Sequence, residues 1–178
     1  QRVVASGILA DIPRANSSPK CPKCMTGSSP PLANGRGRNR SISDMARLYL
    51  LDTNILSHLV RQPQGTIAER IADVGEANVL TSVIVACELR YGAAKRGSRR
   101  LTRQVEAILG ALTIRPLESD VERVYAAIRV ALEKKGTPIG AHDMLIAAHA
   151  RTIDAVCVTD NVAEFNRVPA LKVENWLR

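Results

Sequence analysis

Two short apolar runs that each stop at an acid constrain this chain more than any other feature. Leu48-Tyr49-Leu50-Leu51 leads into Asp52-Thr53-Asn54, and Ala155-Val156-Cys157-Val158 leads into Thr159-Asp160-Asn161. Continuous apolar runs of this length read as strands buried on both faces, the situation of a parallel sheet covered by helices. A carboxylate at the end of such a strand is costly to bury unless it meets a cation or a set of donors. Two more acids sit in apolar surroundings, Glu88 within Val83-Ile84-Val85-Ala86-Cys87-Glu88-Leu89 and Asp143 just ahead of Met144-Leu145-Ile146-Ala147-Ala148. The pattern points to a metal site assembled from Asp52, Glu88, Asp143 and Asp160.

Around these runs the apolar period alternates between strand-like and helix-like. Strands are expected near residues 47–51, 78–80, 112–115, 154–158 and 171–174. Helices are expected near 54–60, 66–74, 82–95, 98–109, 118–135, 142–151 and 162–165. Ser82 has the side chain of an N-cap, and Gly136 that of a helix terminator. Strands alternating with helices imply an α/β fold with a central parallel sheet of four to five strands flanked by helices. In such sheets ligands bind in the crevice outside the carboxyl ends of the strands, where Asp52 and Asp160 both fall. The helix carrying Glu88 is apolar around its circumference and is expected to be largely buried. No internal repeat is present.

Residues 1–44 differ in character from the rest. Pro, Gly, Ser and Asn crowd the stretch from Pro13 to Pro31, and seven basic residues against two acids give it a net +5 of the chain's +8. Such a segment is expected to be a disordered extension, with the folded domain spanning 45–178 and opening at Met45. Cys21-Pro22-Lys23-Cys24 has the spacing of half a zinc knuckle, but a structural zinc needs four ligands and no second pair follows. The longest apolar run, about five residues ending at Cys87, falls far short of the roughly 20 that span a bilayer. The expected compartment is the cytoplasm, with reduced cysteines, and Cys87 and Cys157 acting as small hydrophobes inside apolar runs.

Four segments carry a family resemblance: Leu51-Asp52-Thr53-Asn54; Glu88-Leu89-x-Tyr91-Gly92; Pro138-Ile139-Gly140-x-x-Asp143-x-x-Ile146-Ala147-x-His149-Ala150; and Val158-Thr159-Asp160-Asn161-x-x-Glu164-Phe165. In this order and with these gaps the region from Met45 to Trp176 resembles the VapC toxins, PIN-domain ribonucleases of bacterial toxin-antitoxin pairs. The resemblance implies a PIN fold and a metal-dependent endoribonuclease. Asp52, Glu88, Asp143 and Asp160 match the family's acidic quartet around Mg2+ or Mn2+, and Thr53, Asn54, Thr159 and Asn161 match its polar supports. Mg2+ prefers oxygen ligands and keeps several waters, which suits a carboxylate set. Asp52 and Asp143 are the expected direct metal ligands. The resemblance also implies an RNA substrate, with transfer RNA the favoured class, a VapB-like antitoxin as partner, and a homodimer.

Each acid also has a plain structural reading. Asp52 could cap the following helix, Asp143 could favour a helix N-terminus, Asp160-Asn161 could form a turn, and Glu88 could pair with Arg90. The run Arg90, Lys95, Arg96, Arg99, Arg100 and Arg103 suits RNA backbone contact as well as it suits a solvated helical face. His142 and His149, seven apart, do not share the i, i+4 spacing of a two-histidine metal motif and are expected to be structural or hydrogen-bonding. Trp176 and Phe165 are expected to pack in the core. Two rival functions remain open at this point. An aspartate-nucleophile phosphatase would need a second acid two residues after Asp52, where Asn54 stands. A non-catalytic nucleic-acid or partner-binding module would depend on the basic run and not on the acids.

Overall fold

A computed structural model describes residues 47–118 and 120–178, which fall within one compact unit. Five strands form one sheet: β1 (Tyr49–Leu51), β2 (Val79–Ser82), β3 (Thr113–Arg115), β4 (Val156–Val158) and β5 (Val173–Glu174). All neighbours pair in parallel in the order β3-β2-β1-β4-β5. The continuous apolar runs are explained by this placement, since β1 lies between β2 and β4 and its Leu50 and Leu51 are fully buried, as are Cys157 and Val158 of β4.

The strands are joined through α1 (Thr53–Arg61), α2 (Thr66–Val74), a 3-10 turn (Glu76–Asn78), α3 (Val83–Arg96), α4 (Arg99–Ala111), α5 (Val121–Lys134), α6 (Ala141–Thr152) and α7 (Val162–Phe165). The caps are the expected ones. Ser82 Oγ accepts from the Ile84 N–H at 3.2 Å, and Gly136, just beyond α5, takes the left-handed φ of 65° that a side chain disfavours. The apolar sides of these helices meet over the sheet: Ile55, Leu56, Val85, Ala86, Ile128, Leu132, Ile146 and Ala147 are all buried to within 1%. Phe165 and Trp176 join the core as expected.

The chain builds the sheet in two directions. From β1 it runs outward to β2 and β3, then returns to the other side of β1 for β4 and β5. The order reverses between β1 and β4, and that switch point is where an open α/β sheet offers its crevice. Register then does the local work: Leu51 pairs with Val158, so the next residues, Asp52 and Thr159, stand side by side at the strand ends.

Two expectations are corrected. α3 is not buried all round, because Cys87 is exposed and Tyr91 is 65% exposed, while Val85, Ala86, Leu89 and Ala93 face the core. Cys87 therefore does not act as a core hydrophobe, although Cys157 does. The predicted extension, residues 1–44, and its Cys21 and Cys24 lie outside the described residues. Among the described residues no helix is long and apolar enough to cross a membrane.

Candidate active site

Asp52 follows β1 directly and is only 3% exposed. Its backbone N–H donates to the Val158 carbonyl at 3.0 Å, continuing the ladder one residue beyond the strand. Its side chain caps α1: Oδ1 accepts from the Thr53 N–H at 2.7 Å. Oδ2 accepts from Thr159 Oγ1 at 2.8 Å and from Asn54 Nδ2 at 2.9 Å. The structural reading of Asp52 as a helix cap is therefore correct and does not exclude the functional one. Burial pushes the Asp52 carboxyl up, and Glu88 adds to that by repulsion, while the Thr159, Thr53 and Asn54 donors pull it back.

The polar supports form one connected network across the β1 and β4 ends. Thr159 is fully buried, and its Oγ1 accepts from Asn54 Nδ2 and from the Asn161 N–H, both at 3.0 Å, while donating to Asp52. Asn54 Oδ1 accepts from the Asp160 N–H at 3.1 Å. Thr53 and Asn54 thus tie α1 to Asp52, and Thr159 ties the β4 end to the same carboxylate, with Asn161 contributing only its backbone N–H to Thr159.

Glu88 reaches this group from α3. Its Oε2 accepts from Thr53 Oγ1, and its Oε1 lies 2.7 Å from His142 Nδ1. The expected alternative partner, Arg90, is elsewhere: it makes a bidentate pair with Glu106 at 2.8 and 2.9 Å. Asp143, in the first turn of α6, makes no hydrogen bond among the described residues. Gly140 gives it room, since a Cβ there would stand 3.3 Å from Asp143 Oδ2. Its carboxyl is pushed up to about 6, first by burial, then by the charges of Asp52, Glu164 and Glu88, with His142 pulling it down.

The four predicted acids thus divide. Asp52, Glu88 and Asp143 act on one another electrostatically, whereas the Asp160 carboxylate accepts from Asn175 Nδ2 at 2.9 Å and is exposed. Glu164, four residues on in α7, contributes to the charge around Asp143 and was singled out only as part of a motif. His142 was expected to be hydrogen-bonding; its partner Glu88, 54 positions away, has no signal in the sequence. His149 is buried, with Nδ1 3.0 Å from Ser82 Oγ, and burial lowers its pKa.

An all-oxygen set of mutually repelling carboxylates fits a hard divalent cation in donor type and in charge. Asp143 has the open lone pairs for it. As they stand, no three His, Cys, Asp or Glu side chains among the described residues enclose a single point at binding distance. Fewer protein ligands and more waters is the manner in which Mg2+ is held.

Comparison with known proteins identifies the family and the fold. The PIN domain family matches residues 49–171. Ribonuclease VapC2 of Rickettsia felis is 34% identical over 131 residues, covering 72% of this chain and 98% of the relative. The chain belongs to the VapC family of PIN-domain ribonucleases. Another VapC, the tRNA(fMet)-specific endonuclease of Salmonella typhimurium, is 33% identical over 129 residues, covering 72% of this chain and 97% of that protein. Among solved structures, VapBC2 from Rickettsia felis bound to a DNA fragment from its promoter superposes with a TM-score of 0.67 at 33% identity, covering 72% of this chain and 98% of the other. Asp52, Thr53, Asn54, Glu88, His142, Asp143, Thr159, Asp160, Asn161 and Glu164 all lie within the residues 49–171 that the PIN domain family matches.

Proposed function

We propose that this chain is the toxin of a toxin-antitoxin pair, an endoribonuclease that hydrolyses RNA phosphodiester bonds with Mg2+ or Mn2+. The observation that carries the reading is the hydrogen-bonded acidic cluster beyond the β1 and β4 ends of a VapC-type sheet, where Thr53, Asn54 and Thr159 hold Asp52 and Thr53 also donates to Glu88. Asp52 and Asp143 would hold the metal. When bound, the ion supplies a water of lowered pKa and neutralises charge on the scissile phosphate. Thr159, Asn54 and the Thr53 N–H keep Asp52 in a single orientation, so its oxygens need no reorganisation when substrate arrives. Glu88, held on both oxygens by Thr53 and His142, is oriented to take a proton from the attacking water. Asp160 supports the site through its backbone contact with Asn54.

Transfer RNA as substrate is supported by the name of the Salmonella relative. A VapB-like antitoxin and a dimeric assembly are supported by solved relatives that are VapBC complexes. Location in the cytoplasm goes with these partners. Purified chain incubated with initiator transfer RNA is expected to cut it with Mn2+ and not with chelator. Asp52→Asn and Asp143→Asn should each abolish cutting while retaining a cooperative melt. Undiminished cleavage by either variant would refute the assignment, and cleavage of a small phosphate ester instead of RNA would favour a phosphatase.

A further inference from the structure

Glu88 borders a cavity of about 340 Å3 whose lining also includes Thr53, its hydrogen-bond donor. Two helices give it matching rows. α1 contributes Thr53, Ser57 and Arg61, and α3 contributes Glu88, Gly92 and Arg96, each row advancing by four residues and so keeping to one helical face. Thr53 donates to Glu88, which aligns the rows at the acidic end. The backbone positions of Arg61 and Arg96 are each about 12 Å farther along their helix axes than Thr53 and Glu88, from eight residues of 1.5 Å rise. Val60, Leu89, Ala93, Leu101 and Val105 line the same cavity with aliphatic surface.

Arg61 and Arg96 make no ion pair among the described residues, and Arg61 Nε donates only to the Ser57 carbonyl at 3.1 Å. Arg90, on the same helix as Arg96, is by contrast neutralised by Glu106. Charge in the groove is therefore split, the Glu88 carboxylate at one end and two guanidiniums, without an ion pair among the described residues, at the other. A polyanionic strand cut at the carboxylates is repelled there and needs cations nearby.

We propose that this groove is a backbone-binding subsite for single-stranded RNA, in which Arg61 and Arg96 grip phosphates adjoining the scissile one. It rests on the ribonuclease reading above. No aromatic side chain lines the groove, so the contact offers no stacking platform and reads the backbone more than the bases. Arg96 belongs to the basic run of the sequence, whereas Arg61 lies outside it and is recruited by the fold.

Fluorescence anisotropy with labelled single-stranded RNA, in the Asp52→Asn background so that nothing is cut, tests the proposal directly. Arg61→Ala and Arg96→Ala should each flatten the slope of log affinity against log salt by about 0.7, and together weaken binding on the order of tenfold. Arg123→Ala, an exposed change on α5, should do neither. In the otherwise unmutated chain, the double variant should raise KM with little change in kcat. A Cβ at Gly92 would meet nothing within 4 Å, so Gly92→Leu projects into the groove without disturbing the fold. It should keep or raise the melting temperature and impair cleavage. Unchanged affinity and cleavage in all three variants would overturn the subsite. Unchanged RNA binding with loss of inhibition by a protein partner would do so too, assigning the groove to that partner. If the unmutated chain cuts no RNA with Mn2+, the ribonuclease reading fails, and the anisotropy slopes still decide the groove.

Discussion

Asp143 combines a raised pKa with a carboxylate that accepts no hydrogen bond from the described residues, which makes it a residue sensitive to pH. Its folded value of about 6 exceeds the ordinary 3.8, so between these values the folded state holds a proton the unfolded state has lost. Stability consequently falls as pH rises from 3.8 through about 6, and the penalty is complete above that. Without metal, Asp143→Asn should therefore melt higher than the unmutated chain above pH 6, with the gap closing towards pH 4. A gap that does not vary with pH would show that the carboxyl is not under this strain. Thr159→Val retains the shape of the side chain but removes one of the donors to Asp52. Loss of such an outer-shell partner is expected to lower metal affinity or activity by roughly tenfold to a hundredfold, readable as a shifted Mn2+ titration.

At the scale of elements, the direct junction of β2 and α3 ties capping to the placement of Glu88. Ser82 Oγ accepts from the Ile84 N–H and contacts His149 of α6, so one hydroxyl joins a helix start to a neighbouring helix. Ser82→Ala should lower stability by about 1–2 kcal/mol, the cap together with an orphaned imidazole, as measured by chemical denaturation. His149 supplies a second pH dependence with the opposite sign. Burial holds its pKa below the usual 6.5, so the unfolded chain takes up a proton first as pH falls. Its contribution is present above pH 6.5 and is lost progressively below it. His149→Gln should be less stable throughout, yet lose less stability than the unmutated chain between pH 6.5 and pH 5.

At the scale of the whole molecule, the acids from β1, α3 and α6 place like charges together around the switch point. Binding a cation there is linked to folding, and at a hundredfold excess over Kd the gain is about 2.7 kcal/mol. Millimolar Mn2+ should raise the melting temperature by several degrees in the unmutated chain and much less in Asp52→Asn. An unaltered melt would count against a metal site in this crevice.

The strand-helix alternation, the five strands and the buried cores of β1 and β4 were legible in the residue pattern, because a helix-covered parallel sheet demands continuous apolar runs and caps at predictable positions. The acids were legible too, as carboxylates where apolar neighbours make charge costly. The direction of each side chain was not. Which acids meet depends on strand order and register, a long-range pairing that sets Asp52 beside Thr159 across 107 positions, and on helix rotation, which takes Arg90 to Glu106 and Glu88 to His142. The outward turn of Cys87 and Tyr91, the charge that Glu164 adds near Asp143, and the union of Arg61 with Arg96 in one groove have the same origin. Local periodicity determines which face of an element is apolar; only packing against the other elements decides what that face, and the opposite one, will touch.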